Sequence, residues 1–324
     1  MEVSGACNLR CRMCLVRYAP AIGKKQGALS FEQFLALVDG LPGLRKLTLQ
    51  GLGEPLLSPH LLAMVRHAAG RGIEVGFNTN GTLLTRSIAE RLVEAECGWL
   101  HVSLDGATAR TYEEVRHGTD MRPHPGQFER VVSNLRALIE TRGRSERPRV
   151  QIVFVAMRRN VAELPALVTL AADIGVDSVW VQNLSHDFGD TEPDGAYGSI
   201  REYAAAEAIF DGGAPAAQLV FDRAAARARE LGVELRLPSL EGAERDGDPR
   251  GCGWPWESAY VTHRGDVQPC CMVMGSDRAT MGRLEEAAFD RIWHGPAYTS
   301  FRAALLGDEP PEVCRGCSLY RRVF

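Results

Sequence analysis

The sequence predicts an α/β fold in which a parallel sheet curves on itself with its helices outside, followed by a small cysteine-rich unit. Three observations predict it. Runs rich in β-branched residues alternate with helix-period patterns along the chain, the signature of strand–helix repeats. The residues with chemical potential fall at the carboxyl ends of the strands, where ligands of such sheets gather. Most of the nine cysteines lie in two groups, near the two ends of the chain, with metal-ligand spacing. At 324 residues and 45% hydrophobic, the chain can bury the core of one large domain and one smaller one.

In order, residues 1–4 form the first strand, leading into a cysteine loop. Four residues are short for a strand, a sign that the natural start lies upstream. A polar stretch over 23–27 precedes Ser30 and Gln33, spaced as a capping box, and a helix through Val38. Residues 46–50 make the second strand, 59–70 an amphipathic helix, and 73–77 the third strand, closed by the turn Asn78-Thr79-Asn80-Gly81. A helix over 85–94, a strand over 99–104, a helix over 127–141, a strand over 150–155, a helix over 161–174 and a sixth strand over 179–182 complete the alternation. The stretch 187–198 reads as a long functional or mobile loop. Helices over 203–210 and 215–231 and a strand over 233–237 follow, and the acidic, glycine-bearing stretch 241–251 marks a domain boundary.

Composition excludes some classes. A net charge of −4 argues against a nucleic-acid partner, which requires a basic surface. No apolar run reaches the length of a bilayer span and no signal peptide opens the chain, so no membrane partner is expected. The reading is a cytoplasmic protein, whose reducing surroundings keep the thiols available.

Cys7, Cys11 and Cys14 stand in CxxxCxxC spacing on one loop. Three soft thiolates so close can hold three irons of a 4Fe–4S cluster and leave the fourth iron open. Three cannot pair as disulfides, and zinc needs a fourth ligand that neither His60 nor His67 supplies nearby, although a distant residue could fold back. With Tyr18 shortly after, the triad resembles the radical S-adenosylmethionine (SAM) superfamily. The resemblance implies that the amino and carboxylate groups of SAM chelate the open iron, and that one electron cleaves it to methionine and a 5′-deoxyadenosyl radical. The fold it implies is a partial (β/α)6 TIM-type barrel.

Gln50-Gly51-Leu52-Gly53-Glu54-Pro55 follows the second strand, where glycines admit a ligand and Glu54 can accept from an amine. By pattern alone it is as readily a plain turn. It resembles the superfamily's GGEP motif, which binds the methionyl amine, with Leu52 separating the glycines and Gly53-Glu54-Pro55 as the matching core. Ser103, at the end of the fourth strand, and Arg116 behind it match residues that contact the ribose and carboxylate of SAM in relatives. Asn78 is a further contributor, against its reading as a turn residue.

The second group is Cys252, Cys270, Cys271, Cys314 and Cys317. Spacing alone leaves zinc and a second iron–sulfur cluster open. Cys252 before Trp254-Pro255-Trp256, a hairpin through Gly265 to Cys270, and the CxxC of Cys314 and Cys317 resemble the Twitch form of the SPASM extension. That resemblance implies one auxiliary 4Fe–4S cluster on Cys252, Cys270, Cys314 and Cys317, in a small C-terminal β-hairpin/α iron–sulfur domain. It divides the chain into a barrel core at 1–185, connecting loop and helices at 186–250, and an auxiliary domain at 251–324.

Cys271 is a candidate hydrogen-atom donor, against its reading as a small apolar residue; Cys97 is assigned to the core. His186 and Asp187, directly after the sixth strand, are candidates for acid–base chemistry at the barrel mouth, against a packed histidine and a turn-capping aspartate. Glu257 is another candidate. Trp254 and Trp256 stack on a ring or fill the domain interface. Together these imply an enzyme abstracting hydrogen from a sugar, aminocyclitol or sugar nucleoside of secondary metabolism, with oxidation, epimerisation or decarboxylation as outcome and a flavodoxin or ferredoxin as electron donor. The rivals are a maturase of ribosomally made peptides, disfavoured because the chain begins at the cluster loop, a non-catalytic zinc protein, and a nucleic-acid modifying enzyme, disfavoured by charge.

Overall fold

The computed structural model describes residues 1–18, 26–210, 212, 215–242 and 251–324. Six strands form one parallel sheet in sequence order: β1 (Lys46–Leu49), β2 (Glu74–Thr79), β3 (Trp99–Ser103), β4 (Arg149–Val155), β5 (Ser178–Gln182) and β6 (Glu234–Arg236). Each pairs with the next, so that Asn78 lies opposite His101 and His101 opposite Gln151. β1 and β6 are the two ends of that order, and the barrel is partial, as expected.

α1 (Leu15–Tyr18) follows the cysteine loop and α2 (Phe31–Asp39) precedes β1. α3 (Leu61–Gly70) and α4 (Arg86–Glu94) alternate with the next strands, and α5 (Ala109–Val115) and α6 (Gln127–Arg142) both lie between β3 and β4. α7 (Leu164–Ile174) precedes β5, and α8 (Gly198–Glu207) and α9 (Ala217–Leu231) precede β6. Successive strand residues face opposite sides of the sheet. Phe77, Leu100, Val102, Ile152, Phe154 and Val179 are buried in the main core with the inner faces of the helices. Each such side chain stabilises the fold by roughly 1.5–3 kcal/mol. Their neighbours Asn78, His101, Gln151, Trp180 and Gln182 line a cavity on the other side. The helix-covered face is apolar and the enclosed face is polar.

The C-terminal unit holds α10 (Trp254–Glu257), a three-stranded antiparallel sheet of β7 (Tyr260–Val261), β8 (Asp266–Gln268) and β9 (Gly282–Arg283), and then α11 (Phe289–Trp293), α12 (Pro296–Leu306) and α13 (Glu312–Arg315). The expected hairpin through Gly265 is β7–β8.

Three expectations change. Residues 1–4 are not a strand of the sheet. Val3 O accepts from Leu29 N at 3.1 Å, Ser4 bridges to Ala28, and Glu2 N donates to Val261 O at 2.8 Å. Met1 does bond alongside β1, its N donating to Thr48 O at 2.8 Å and its O accepting from Gln50 N at 2.9 Å, but with Glu2, Val3 and Ser4 bonded elsewhere the segment builds no ladder. The sixth strand is instead the stretch expected at 233–237, which pairs parallel with β5. α8 starts at Gly198 rather than 203, because Tyr197 is fixed by Phe188, 5.9 Å away, and by a 2.9 Å bond to Asp277. Tertiary contacts thus begin the helix before local propensity would. Most of the expected polar stretch at 23–27 and of the boundary at 241–251 lies outside the described residues.

Candidate active site

Cys7, Cys11 and Cys14 share a loop braced from behind by the chain after α5. Arg10 N donates to His117 O at 2.8 Å, Arg12 N to Val115 O at 3.0 Å, and Leu9 bridges to Gly118. Tyr18 Oη donates to Arg12 O at 2.9 Å, so the aromatic after the triad locks the loop's own backbone. Asn80 Nδ2 donates to Asn8 Oδ1 at 2.9 Å, tying the loop to the end of β2. Burial pushes the Cys7 thiol up to about 11 and Cys11 up to about 12, and the neighbouring thiols add to both. All three are free thiols on one loop, and three thiolates so placed are the donor set that fits three irons of an iron–sulfur cluster.

Glu54 is buried, with 2% exposed. Its Oε1 accepts from Thr79 Oγ1 at 2.7 Å and Leu56 N at 3.1 Å, and its Oε2 from Asn80 N at 2.7 Å. A carboxylate offers about four acceptor positions. One remains on Oε2 for an amine, which fits SAM. Burial raises the Glu54 pKa, and the bonds from Asn80, Thr79 and Leu56 oppose it. Gly53 is packed against the cysteine loop: a Cβ there would lie 2.1 Å from Ser4 O and 2.5 Å from Ala6 O. Only glycine lets this turn close on the loop. Gln50 lines the cavity, as does Asn78, whose Oδ1 is buried without a hydrogen-bond partner among the described residues. Ser103 is half-buried at the end of β3, in phase with His101.

Arg116 is placed differently from the expectation. Its guanidinium forms a buried ion pair with Asp105 at 2.6 Å, and its Nη1 points at Cys11 Sγ, 3.8 Å away. So engaged, it braces the cysteine loop rather than presenting a fork to a carboxylate.

The second cysteine group gathers from four places: Cys252 before α10, Cys270 after β8, Cys314 in α13 and Cys317 beyond it. Burial raises the Cys270, Cys314 and Cys317 thiols; neighbouring thiols add to each. Cys252 acts on both Cys314 and Cys317, so parts of the chain far apart in sequence bring their thiols together, and four thiols are a donor set that fits an iron–sulfur cluster.

The sequence profile described as the Radical SAM superfamily matches residues 1–171. The chain belongs to the radical SAM superfamily. A second profile, the iron–sulfur cluster-binding SPASM domain, matches residues 252–318. As a radical SAM protein with this extension, the chain works with a 4Fe–4S cluster, SAM and auxiliary iron–sulfur chemistry. It is 25% identical over 336 residues to the tungsten-containing aldehyde ferredoxin oxidoreductase cofactor-modifying protein of Pyrococcus furiosus, covering 98% of this chain and 86% of that one. It is 34% identical over 176 residues to the mycofactocin maturase MftC of Mycobacterium tuberculosis, covering 54% of this chain and 41% of the maturase. Streptococcus suis SuiB bound to S-adenosylmethionine superposes with a TM-score of 0.68 at 17% identity, over 99% of this chain and 70% of SuiB. BtrN in complex with AdoMet and 2-DOIA superposes at 0.51 with 18% identity, over 97% of this chain and 87% of BtrN. These likenesses show the fold.

Within this radical SAM fold, His186 does not face the barrel mouth as a base. Its Nε2 lies 2.7 Å from Val313 O, and its Nδ1 accepts from Phe188 N at 2.7 Å. Burial first, then the Arg278 charge, lowers its pKa, so it is a neutral brace for the CxxC knuckle. Asp187 caps a turn, accepting from Gly189 N at 2.8 Å, and packs on Gly316. Glu257 is exposed at the end of α10 and lies outside the cavity lining. Cys271 does line the cavity; burial raises its thiol to about 11.

The radical SAM cavity, about 760 Å³, holds residues that the sequence reading passed over. Trp99, His101 and Trp180 line up as tilted rings, with successive centroids 4.3 and 4.7 Å apart. Gly76 makes the room, since a Cβ there would lie 2.3 Å from the Trp99 ring. Tyr260 and Gln268 reach in from the small sheet, and Trp254, which the sequence did single out, lines the cavity from α10. The signal was present: polar or amphipathic residues at every second position of strands whose other face is apolar mark a wet lumen.

Proposed function

We propose that this radical SAM enzyme abstracts a hydrogen atom from a carbon of a sugar, aminocyclitol or sugar nucleoside in natural-product biosynthesis. The supporting observation is the lining of the cavity: side-chain amides of Gln50, Asn78, Gln151, Gln182 and Gln268 beside indole faces. Amides match hydroxyl groups, and aromatic faces match the C–H face of a ring. Charged residues also line the cavity, among them Glu2, bound to His263 at 2.8 Å, Lys46, 3.5 Å from Glu74, and Arg236, 2.9 Å from Glu234.

Cys7, Cys11 and Cys14 would hold the first cluster, and Cys252, Cys270, Cys314 and Cys317 the auxiliary one. When bound, the clusters and SAM supply a 5′-deoxyadenosyl radical and, at the auxiliary site, a one-electron acceptor. Glu54 takes the methionyl amine on its open acceptor position, with Gln50 and Gly53 beside it. Asn78 and Ser103 present polar atoms at adjacent strand ends. Cys271 lines the cavity and follows Cys270 directly in the chain, so a substrate there would meet a thiol, giving epimerisation, or pass an electron to a cluster behind it, giving oxidation. Decarboxylation would need a substrate carboxylate at the same carbon. A cytoplasmic flavodoxin or ferredoxin suits the electron supply. A second reading, peptide maturation, draws on the 34% identity to a maturase.

Release of 5′-deoxyadenosine under anaerobic, reducing conditions tests the proposal. Aminocyclitols, sugars or sugar nucleosides are expected to stimulate it by an order of magnitude or more, and Cys7→Ala to abolish it. Stimulation by peptides alone would transfer the enzyme to the second reading. With an active substrate, Cys271→Ser separates the outcomes, since oxidation survives it and epimerisation does not.

A further inference from the structure

Arg278 lies in the chain between β8 and β9 with 4% of its side chain exposed. Its Nε and Nη2 donate to the two carboxylate oxygens of Asp190 at 3.0 and 2.6 Å. Asp190 is also hidden, at 8%. The Nη1 donates to Val273 O at 2.7 Å, two residues beyond Cys271. The Nη2 also lies 3.0 Å from His186 Nε2, and that nitrogen contacts Val313 O, next to Cys314. Phe188 and Tyr197, packed on each other with centroids 5.9 Å apart, flank the guanidinium at 5.1 and 5.8 Å.

One buried cation and one buried anion therefore sit together against both halves of the second cysteine group. Their influence there is opposite in sign. The segment that carries Asp190 lies against the CxxC loop: His186 bridges to Cys317, and Asp187 N donates to Gly316 O at 3.0 Å, so a fixed charge of each sign sits behind that loop. Packing alone does not call for this pair, since apolar residues of similar volume often stabilise as well as a buried ion pair or better.

We propose that Arg278 and Asp190 set the reduction potential of the auxiliary cluster, the arginine raising it and the aspartate lowering it. The inference rests on the assignment of Cys252, Cys270, Cys314 and Cys317 to that cluster. Reduction adds one electron, and so one negative charge, to a group in a low-dielectric setting, where a fixed cation favours the reduced form and a fixed anion the oxidised one. Both residues are positioning residues. They hold the loops that carry the cysteines and fix the charge facing them, without touching substrate.

The test is an EPR-monitored redox titration of the anaerobic protein in a Cys7/Cys11/Cys14→Ala background, where only the auxiliary cluster contributes. About four irons are expected in that background. Arg278→Gln leaves the aspartate uncompensated and moves the midpoint to more negative potential. Asp190→Asn leaves the arginine uncompensated and moves it to more positive potential. Arg278→Lys keeps the charge and stays near the parent, which keeps the test open if Arg278→Gln does not fold. Opposed shifts of the two charge-removing variants support the proposal, since loss of a brace alone has no reason to change sign. Unchanged midpoints, or shifts in one direction for both, overturn it. A background that binds no iron overturns the auxiliary-site assignment itself, and the proposal falls with it.

Discussion

His101 shows how far a single position departs from its local sequence. It sits in the middle of β3, between Trp99 and Trp180, and burial lowers its pKa from 6.5 to about 4, opposed by a bond with Gln151. At neutral pH the ring is uncharged, a hydrogen-bonding group toward the lumen. In the unfolded chain it takes a proton near the ordinary value; in the folded chain it resists until about pH 4. Across that window the unfolded state holds more protons, so stability falls as pH drops, by at most about 3 kcal/mol. His101→Gln is expected to flatten this part of the profile, measured as the difference in urea-unfolding free energy between about pH 7 and pH 4.5. His117 and His186, also lowered, are present in both proteins and cancel. An identical slope in the variant would refute the assignment. Sequence reading singled out Cys7, Cys11 and Cys14, because candidate ligands on one loop keep their spacing in the chain, and Glu54, because a glycine-flanked turn marks it. It missed His101 and Arg278, whose partners are distant: Trp180 on another strand, and Asp190 across 88 residues.

Elements were legible where their signals are local. Ser30 accepts from Gln33 N at 3.1 Å, and Gln33 Oε1 accepts from Ser30 N at 3.1 Å, the reciprocal cap the two residues announced. Ser30→Ala should cost about 1 kcal/mol by leaving that donor to water. Denaturant unfolding at neutral pH checks it, and a loss below about 0.3 kcal/mol would show the cap to be idle. The alternation of strands and helices was equally readable, being built from 2- and 3.6-residue periods. Residues 1–4 and 233–237 were not. Both are extended, and local pattern says only that. Whether an extended segment joins the sheet depends on what lies beside it: β5 receives Glu234–Arg236, whereas of the first residues only Met1 bonds to the β1 edge and the next ones are taken by residues 27–29 and β7.

On the scale of the whole molecule, one carboxylate joins the two cysteine-bearing units. Glu2 Oε1 accepts from Leu52 N at 3.0 Å, in the loop that carries Gly53 and Glu54. Glu2 Oε2 accepts from His263 N at 3.3 Å and lies 2.8 Å from its Nδ1, in the turn between β7 and β8. The histidine ring fills a slot that two glycines leave open: a Cβ on Gly5 would lie 2.5 Å from it, and one on Gly27 2.9 Å. Gly5 opens the cysteine loop, so the SAM-side loops and the small sheet are held in one register through this contact. Glu2→Ala strips acceptors from buried N–H groups on both sides, a penalty of about 1–3 kcal/mol per group. Because those groups belong to the join, the loss should open the small sheet locally rather than melt the barrel. Hydrogen exchange is expected to speed up over residues 260–268 while β2 to β5 keep their protection. Equal acceleration everywhere would mean that the two units unfold as one, and no change would mean that other contacts hold the join. Glu2→Gln keeps an acceptor for Leu52 N or His263, so it should fall between wild type and Glu2→Ala if hydrogen bonding, rather than volume, makes the join.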